Sequence, residues 1–206
     1  MLLQVEGHQA EQYEPLFSRM FEHRKRIFFD DKKWEVNVVN GRYEIDEYDR
    51  QDTCYLLSLD RRGELMGSVR LISTVMPHMM SGPFRDMFPD VCFSSPLIWE
   101  ATRFAVVGDA ARPNQVSAAA CELMLGVVQF ALDNGIQNIV GVYDAAMARL
   151  YRRCGFATIE LKRFRTAQHG TVYAGLCPIS QALEASVLAA TGLLPDGAGE
   201  AIANAA

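Results

Sequence analysis

Cysteine is sparse and unpatterned: Cys54, Cys92, Cys121, Cys154 and Cys177 are odd in number, with no CxxC pair and no Cys/His cluster. Neither a disulfide framework nor a zinc site is indicated by that spacing. Long apolar runs are lacking too, for nothing approaches the roughly 18 uninterrupted residues of a membrane span. The first residues meet Glu6 and His8 before an apolar segment can form, so they do not read as a signal peptide. Positive charge is short as well, 20 Lys and Arg against 25 Asp and Glu, a formal net charge of −5. That balance excludes a nucleic-acid binder held by a basic field. What is present is ordinary globular composition, 50% hydrophobic and 22% charged over 206 residues, enough for one domain with a sizeable core. The expectation is a metal-free, membrane-free cytoplasmic protein with a domain over 1–192 and a disordered Gly/Ala-rich tail over 193–206.

Apolar periodicity predicts a strand over 2–5 and a helix over 9–29, with Phe17, Phe21, Arg24 and Phe28 on one stripe. The polar connection 30–52 is long for a compact domain, hence functional or mobile. Strands over 53–59 and 64–73 flank Asp60-Arg61-Arg62-Gly63, a hairpin turn by composition. A Met- and Pro-containing segment with a short helix over 84–88 leads to a strand over 97–107. A strong helix over 114–134 stops at Asn134-Gly135. Strand 136–143, helix 144–154 and strands 156–162 and 171–177 follow, and Ser180 caps a last helix ending at Gly192. The order gives an α/β class of the α+β kind, a central mixed sheet flanked by helices.

Several charges stand where apolar residues belong. Arg24 interrupts the aromatic stripe, either snorkelling or buried and in need of carboxylates. Asp46 and Asp49 in EIDEYD (44–49) are candidate partners, three residues apart. Arg70 shares a strand face with Met66, Ser68 and Ile72. Glu100 and Arg103 interrupt the next apolar strand, and a regular strand would send them to opposite faces. A β-bulge between them would bring both to one face. Three arginines and three carboxylates so placed read as one charged site.

Arg24, Phe28, Trp34, Asp46, Asp49, Arg70, Glu100 and Arg103, in this order and approximate spacing, resemble the acyl-homoserine lactone synthase family, the autoinducer synthases of quorum sensing. The blocks RIFFDDKKWEV, EIDEYD, GSVRL and WEATRFAV carry the likeness over roughly residues 10–156. The resemblance implies a GNAT-like acyltransferase fold, and Ala148–Phe156 looks like the GNAT segment before the penultimate strand. A rival reading is an N-acetyltransferase using acetyl-CoA. Those enzymes hold the CoA pyrophosphate with a Gly-rich loop at a helix N-terminus, whereas Ala111–Ala118 contains no glycine. A non-catalytic carrier-binding module is the second alternative, weakened by the full charged set.

The resemblance further implies two substrates, S-adenosylmethionine and an acyl thioester, preferably on acyl carrier protein and otherwise on CoA, with no resident cofactor. Glu100, directly or through water, is expected as the base for the methionyl amine, a role a backbone carbonyl could share, with Asp46 holding the ammonium and Arg103 completing the catalytic group. Phe28 and Trp34 offer aromatic faces to the adenine or sulfonium. Arg24, Asp49, Arg70 and Thr102 form the surrounding charged wall. Met79, Phe84, Met124, Gly141, Tyr143 and Met147 are the expected acyl pocket. Gly141 stands where family members that take 3-oxo chains commonly carry Thr, which implies a donor without a 3-oxo group. In an acidic chain, Arg149, Arg152 and Arg153, together with Lys162, Arg163 and Arg165, form a local basic excess expected to dock an acidic carrier.

Overall fold

The computed structural model describes residues 1–107, 116–167 and 170–193. The strands β4 (Cys54–Leu59) and β5 (Leu65–Ser73) form a hairpin whose turn is tied by the Asp60 carboxylate, which accepts the amides of Arg62 and Glu64. All six residues of β4 are buried, as a strand covered on both faces requires. Around them a seven-stranded sheet runs in the order β1 (Leu2–Glu6), β4, β5, β6 (Ile98–Val106), β7 (Asn138–Asp144), β9 (Gly170–Pro178), β8 (Ile159–Thr166). Among the described residues only the β6–β7 pair is parallel. A two-stranded ribbon, β2 (Val38–Val39) with β3 (Tyr43–Glu44), lies within the long connection.

Side-chain alternation divides the core between the two faces. Leu56, Val69, Leu71, Ile139 and Cys177 pack beneath the helices α2 (Ala118–Asp133) and α4 (Gln181–Thr191). On the other face Leu3, Val5, Tyr55 and Leu57 meet Phe17 and Met20 of α1 (Glu14–Arg24), while Val140 and Ala174 meet Met80 and Phe88. The long α2 is apolar on most sides because it is buried on most sides.

The β6–β7 ladder covers only Ile98 to Glu100 against Asn138 to Val140. Beyond it each strand stays paired with its outer neighbour, β6 with β5 to Val106 and β7 with β9 to Asp144. The two strands therefore part into a wedge, and the candidate site opens at its mouth. The helix α3 (Ala145–Arg153) follows β7 directly, with Asp144 as its N-cap accepting the Met147 amide.

The helix expected over 9–29 is three pieces: a 3-10 turn at Gly7–Gln9, α1 starting at the Pro15 step, and a π-helical turn from Lys25 to Asp31. Proline fits only the first turn of a helix, which sets the later start. Over 84–88 the chain makes turns rather than a regular helix, its amides bonding back irregularly to Met79, Gly82 and Phe84. The strand expected over 156–162 begins at Ile159, because Phe156 is drawn into the core beneath α3. Ser117, Ser180 and Gly192 act as helix caps. The tail beyond residue 193 and the stretch 111–115 lie outside the described residues. Among the described residues no helix is long and apolar enough to cross a membrane, and no cluster of metal-ligating side chains occurs.

Candidate active site

The three arginines converge. Arg24 is fully buried, and its Nη1 and Nη2 reach Asp49 at 2.8 and 2.9 Å while Nε donates to Glu44. Arg70 bonds Asp46 through both terminal nitrogens, lies 2.9 Å from Asp49, and donates from Nε to the Thr102 hydroxyl at 2.9 Å. Arg103 bridges Glu44 at 3.0 Å and Asp46 at 2.8 Å. Every guanidinium thus serves two carboxylates, and the set is neutral. Buried ions demand such pairing, since any one left alone costs several kcal/mol (~3–5). Burial pushes the Asp49 carboxyl up, but Arg24 and Arg70 beside it prevail and hold it well below the usual carboxylate range.

The third acid of this network is Glu44, not Glu100 as the sequence suggested. Glu44 is fully buried at the end of the short ribbon. It opens the acidic block EIDEYD, but nothing local singles it out from Glu47. The only signal is the count, since three buried guanidiniums need a third carboxylate once Glu100 is engaged elsewhere.

Glu100 accepts the backbone amides of Met79 and Met80 at 2.7 and 3.0 Å. The bulge expected from strand parity is present. Val69 of β5 stands opposite both Arg103 and Phe104, between the pairs Ser68–Ala105 and Arg70–Thr102. Arg103 takes φ +53°, a left-handed conformation costing a non-glycine residue ~1–2 kcal/mol. It turns Arg103 onto the face of Glu100 and Thr102, and Met79 touches both ends, its amide on Glu100 and its sulfur 3.4 Å from Arg103 Nη1.

Burial raises the Glu100 carboxyl from 4.5 to about 7, against the opposing pull of the two amides, Arg70 and Arg103. Across that range the native protein holds a proton that the unfolded chain releases, so this group's contribution to stability falls as pH rises from about 4.5 to 7. Burial, Arg26 and Arg19 lower half-exposed His23 to about 4, and this works in the opposite sense. The Glu100 share is therefore read as a difference. Urea unfolding at pH 5 and pH 8 should show wild type losing about 2–3 kcal/mol relative to Glu100→Gln. Parallel pH curves for the two proteins would refute the shift.

Phe28 and Trp34 stack at 5.2 Å with an interplanar angle of 17°, and the Arg103 guanidinium lies 5.5 Å over the Phe28 ring. Lys32 reaches across to Asp144 at 2.6 Å while lying 5.0 Å over Trp34. The π-helical turn thus lays an aromatic pair between the charged network and the wedge mouth. A cavity of about 380 Å³ lies elsewhere, walled by Phe17, Phe21, Tyr43, Ile45 and Tyr55, and it meets the network only at Asp49.

The expected acyl-pocket residues divide between the two faces of the sheet. Met79 and Phe84 pack with Tyr48 and Ile72 on the network face. Met124 and Met147 belong to the core beneath α2 and α3 on the opposite face. Gly141 and Tyr143 share the parity of Ile139 and turn to that opposite face as well. Tyr143 stacks on Tyr173, and its hydroxyl is 3.3 Å from that of Thr158. A Cβ on Gly141 would sit 3.0 Å from the Ala101 carbonyl, so glycine allows β7 to pass close to β6 at the wedge apex.

Of the six basic residues, Arg149, Arg152, Arg153, Arg163 and Arg165 are exposed and Lys162 is half-buried. Lys162 and Arg163 are engaged by Asp90 and Glu160. The cationic face is thus narrower than the sequence count implies.

The autoinducer synthase family model matches residues 8–187. An acyl-homoserine-lactone synthase of Rhizobium etli is 40% identical over 166 residues, covering 80% of this chain and 77% of that one. The structure of a CoA-dependent acyl-homoserine lactone synthase, BjaI, with S-adenosylmethionine and isopentyl-CoA superposes with a TM-score of 0.80 at 29% identity, covering 94% of this chain and 90% of that one. An acyl-CoA N-acyltransferase from Pseudomonas aeruginosa shares the fold alone, with a TM-score of 0.54, 14% identity, and coverage of 86% of this chain and 99% of that one. Arginines and carboxylates on a bulged strand beside a parting β6–β7 pair, with a family match over most of the length, give one conclusion: this chain is an acyltransferase of the autoinducer synthase family.

Proposed function

We propose that this enzyme makes an N-acyl-homoserine lactone from S-adenosylmethionine and an acyl thioester, with Glu100 as the base. The observation that carries the reading is a fully buried carboxylate held by two backbone amides, on the same face as the arginine network. The methionyl amine is protonated in water and must lose a proton before it attacks, and a carboxylate tuned to about 7 is matched to that task. The amine nitrogen bonds to the thioester carbonyl carbon, the carbon–sulfur bond breaks, and the thiol leaves with a proton. The methionyl carboxylate then attacks Cγ, the bond from Cγ to the sulfonium breaks, and neutral methylthioadenosine departs. Asp46 receives the ammonium before deprotonation, and the Phe28–Trp34 pair faces the adenine or the sulfonium. S-adenosylmethionine is consumed, and no resident cofactor takes part.

The preferred donor is acyl carrier protein, read from the exposed α3 arginines. A CoA thioester is the second reading, favoured by the likeness to BjaI, whose structure contains isopentyl-CoA. Gly141, at the apex of the wedge, offers no side-chain hydroxyl to a 3-oxo group, so a donor without a 3-oxo group, medium-to-long or bulky, is proposed. Mass spectrometry of organic extracts from expressing cells tests the reaction and the chain together. An N-acyl lactone is expected, and acetylated amines without lactone would replace the reading with the N-acetyltransferase one. Double charge reversal, Arg152→Glu with Arg153→Glu, should raise KM for acyl carrier protein about tenfold, the equivalent of ~1.4 kcal/mol. KM for S-adenosylmethionine should stay unchanged. Unchanged carrier KM, with efficient turnover of acyl-CoA, would move the assignment to CoA.

A further inference from the structure

We infer that the turn Pro77–Gly82 is a clamp that positions Glu100, with Ser81 as the positioning residue that keeps it closed. This rests on the reading of Glu100 as the base and extends it to what aims that base. The partners of the carboxylate are two consecutive amides of this one turn, those of Met79 and Met80. The direction of the carboxylate is therefore the direction of the turn.

The turn is closed on itself by Ser81. Its hydroxyl donates to the His78 carbonyl at 2.9 Å and accepts the His78 amide at 3.2 Å, so one side chain satisfies both backbone groups of His78. The Ser81 amide adds a bond of 3.1 Å to the same carbonyl. The closed turn is then tied to the body by Arg50 and to the chain just before it by His78. Arg50 Nη1 donates to the Pro77 carbonyl at 2.9 Å, and His78 Nδ1 lies 2.9 Å from the Met76 carbonyl. Gly82 passes so close to the Tyr48 hydroxyl that any Cβ there would collide with it. Met79 completes the link, because its sulfur lies 3.3 Å from Arg70 Nη2 and 3.4 Å from Arg103 Nη1 while its amide holds Glu100. One residue therefore spaces the carboxylate from the guanidiniums by its own width. This separates Glu100 from Asp46 and Asp49, which the same arginines hold in direct ion pairs.

The groups that act on Glu100 are Arg70 of β5, Arg103 of β6, Tyr48 of the long connection and the two turn amides. His78 stands at the head of the turn. Of these influences, the two amides are the part that a looser turn would weaken. Amide bonds favour the carboxylate, so loosening the turn shifts Glu100 toward its protonated form.

The test uses Ser81→Ala, which removes the hydroxyl, and Ser81→Thr, which restores it. The Glu100 carboxyl is followed by NMR titration in the full-length protein, and the acid limb of the kcat/KM profile is measured alongside. For Ser81→Ala both should move upward by about one pH unit, a tenfold change in proton affinity. KM for S-adenosylmethionine should hold constant, and Ser81→Thr should return both values to wild type. A Glu100 titration unmoved in Ser81→Ala, or displaced equally by alanine and threonine, overturns the clamp. A titration that moves while the rate profile does not supports the clamp and removes Glu100 from the role of base. Should Ser81→Ala fail to fold, Met79→Leu tests the same link by removing the sulfur while keeping the amide, and an unmoved Glu100 titration there overturns the spacer role of Met79.

Discussion

Glu100→Gln is expected to lower kcat by about two to four orders of magnitude, the usual contribution of a positioned general base. As the proposed base, Glu100 would set an acid limb near pH 7, which should disappear from what activity remains because glutamine does not titrate. The fold should survive, though not without cost. The glutamate accepts two amides, one on each oxygen. A glutamine has a single carbonyl oxygen, so one buried amide of Met79 or Met80 then faces an NH2 group and loses its acceptor. An orphaned buried donor costs ~1–3 kcal/mol, which in a chain of 206 residues lowers Tm by ~2–4 °C per kcal/mol. Above pH 7 this is partly offset, since the amide removes a charge that burial disfavours. Large loss of rate with small loss of stability is the signature of a group that acts in the reaction. Retention of more than a tenth of wild-type kcat would reassign the base.

Much of this site was legible in the chain, because charge in an apolar pattern is a strong local signal. Arg24 in the aromatic stripe and Arg70 on a strand face both proved buried and paired. The bulge was deducible from parity alone, since Glu100 and Arg103 can share a face only if one residue is inserted between them. Glu44 was not legible. It sits in a polar stretch beside a two-residue strand, and its burial is created by tertiary contacts with Arg24 and Arg103. The π-helical turn at Lys25–Asp31 was hidden for a similar reason, as its residues suit an α-helix equally well. The acyl-pocket set divides between the two faces, which the sequence could not foretell because Met and Gly are compatible with either face of a sheet. Only the β7 register and the position of α2 decide between the faces.

Arg24→Met is expected to give the opposite signature from Glu100→Gln. Methionine matches much of the volume and keeps the apolar stem, so the change isolates the guanidinium. Glu44 would retain Arg103, and Asp49 would retain Arg70, the Tyr55 hydroxyl and the Asp46 amide. Each nevertheless loses its contact with a cation that both flank at full burial. Breaking a buried ionic cluster from one side typically costs ~3–5 kcal/mol, roughly a 6–20 °C fall in Tm for a chain of this length. Adding Asp49→Asn removes one of the stranded charges, so the double variant should be less destabilised than the sum of the singles, with a coupling of ~1–3 kcal/mol. Activity falls in both singles, but that loss alone cannot tell architecture from chemistry; the Tm and the coupling can. If Arg24→Met lost activity while melting at the wild-type temperature, and the double variant were simply additive, Arg24 would belong with the groups that touch substrate rather than with those that hold Glu44 and Asp49 in place.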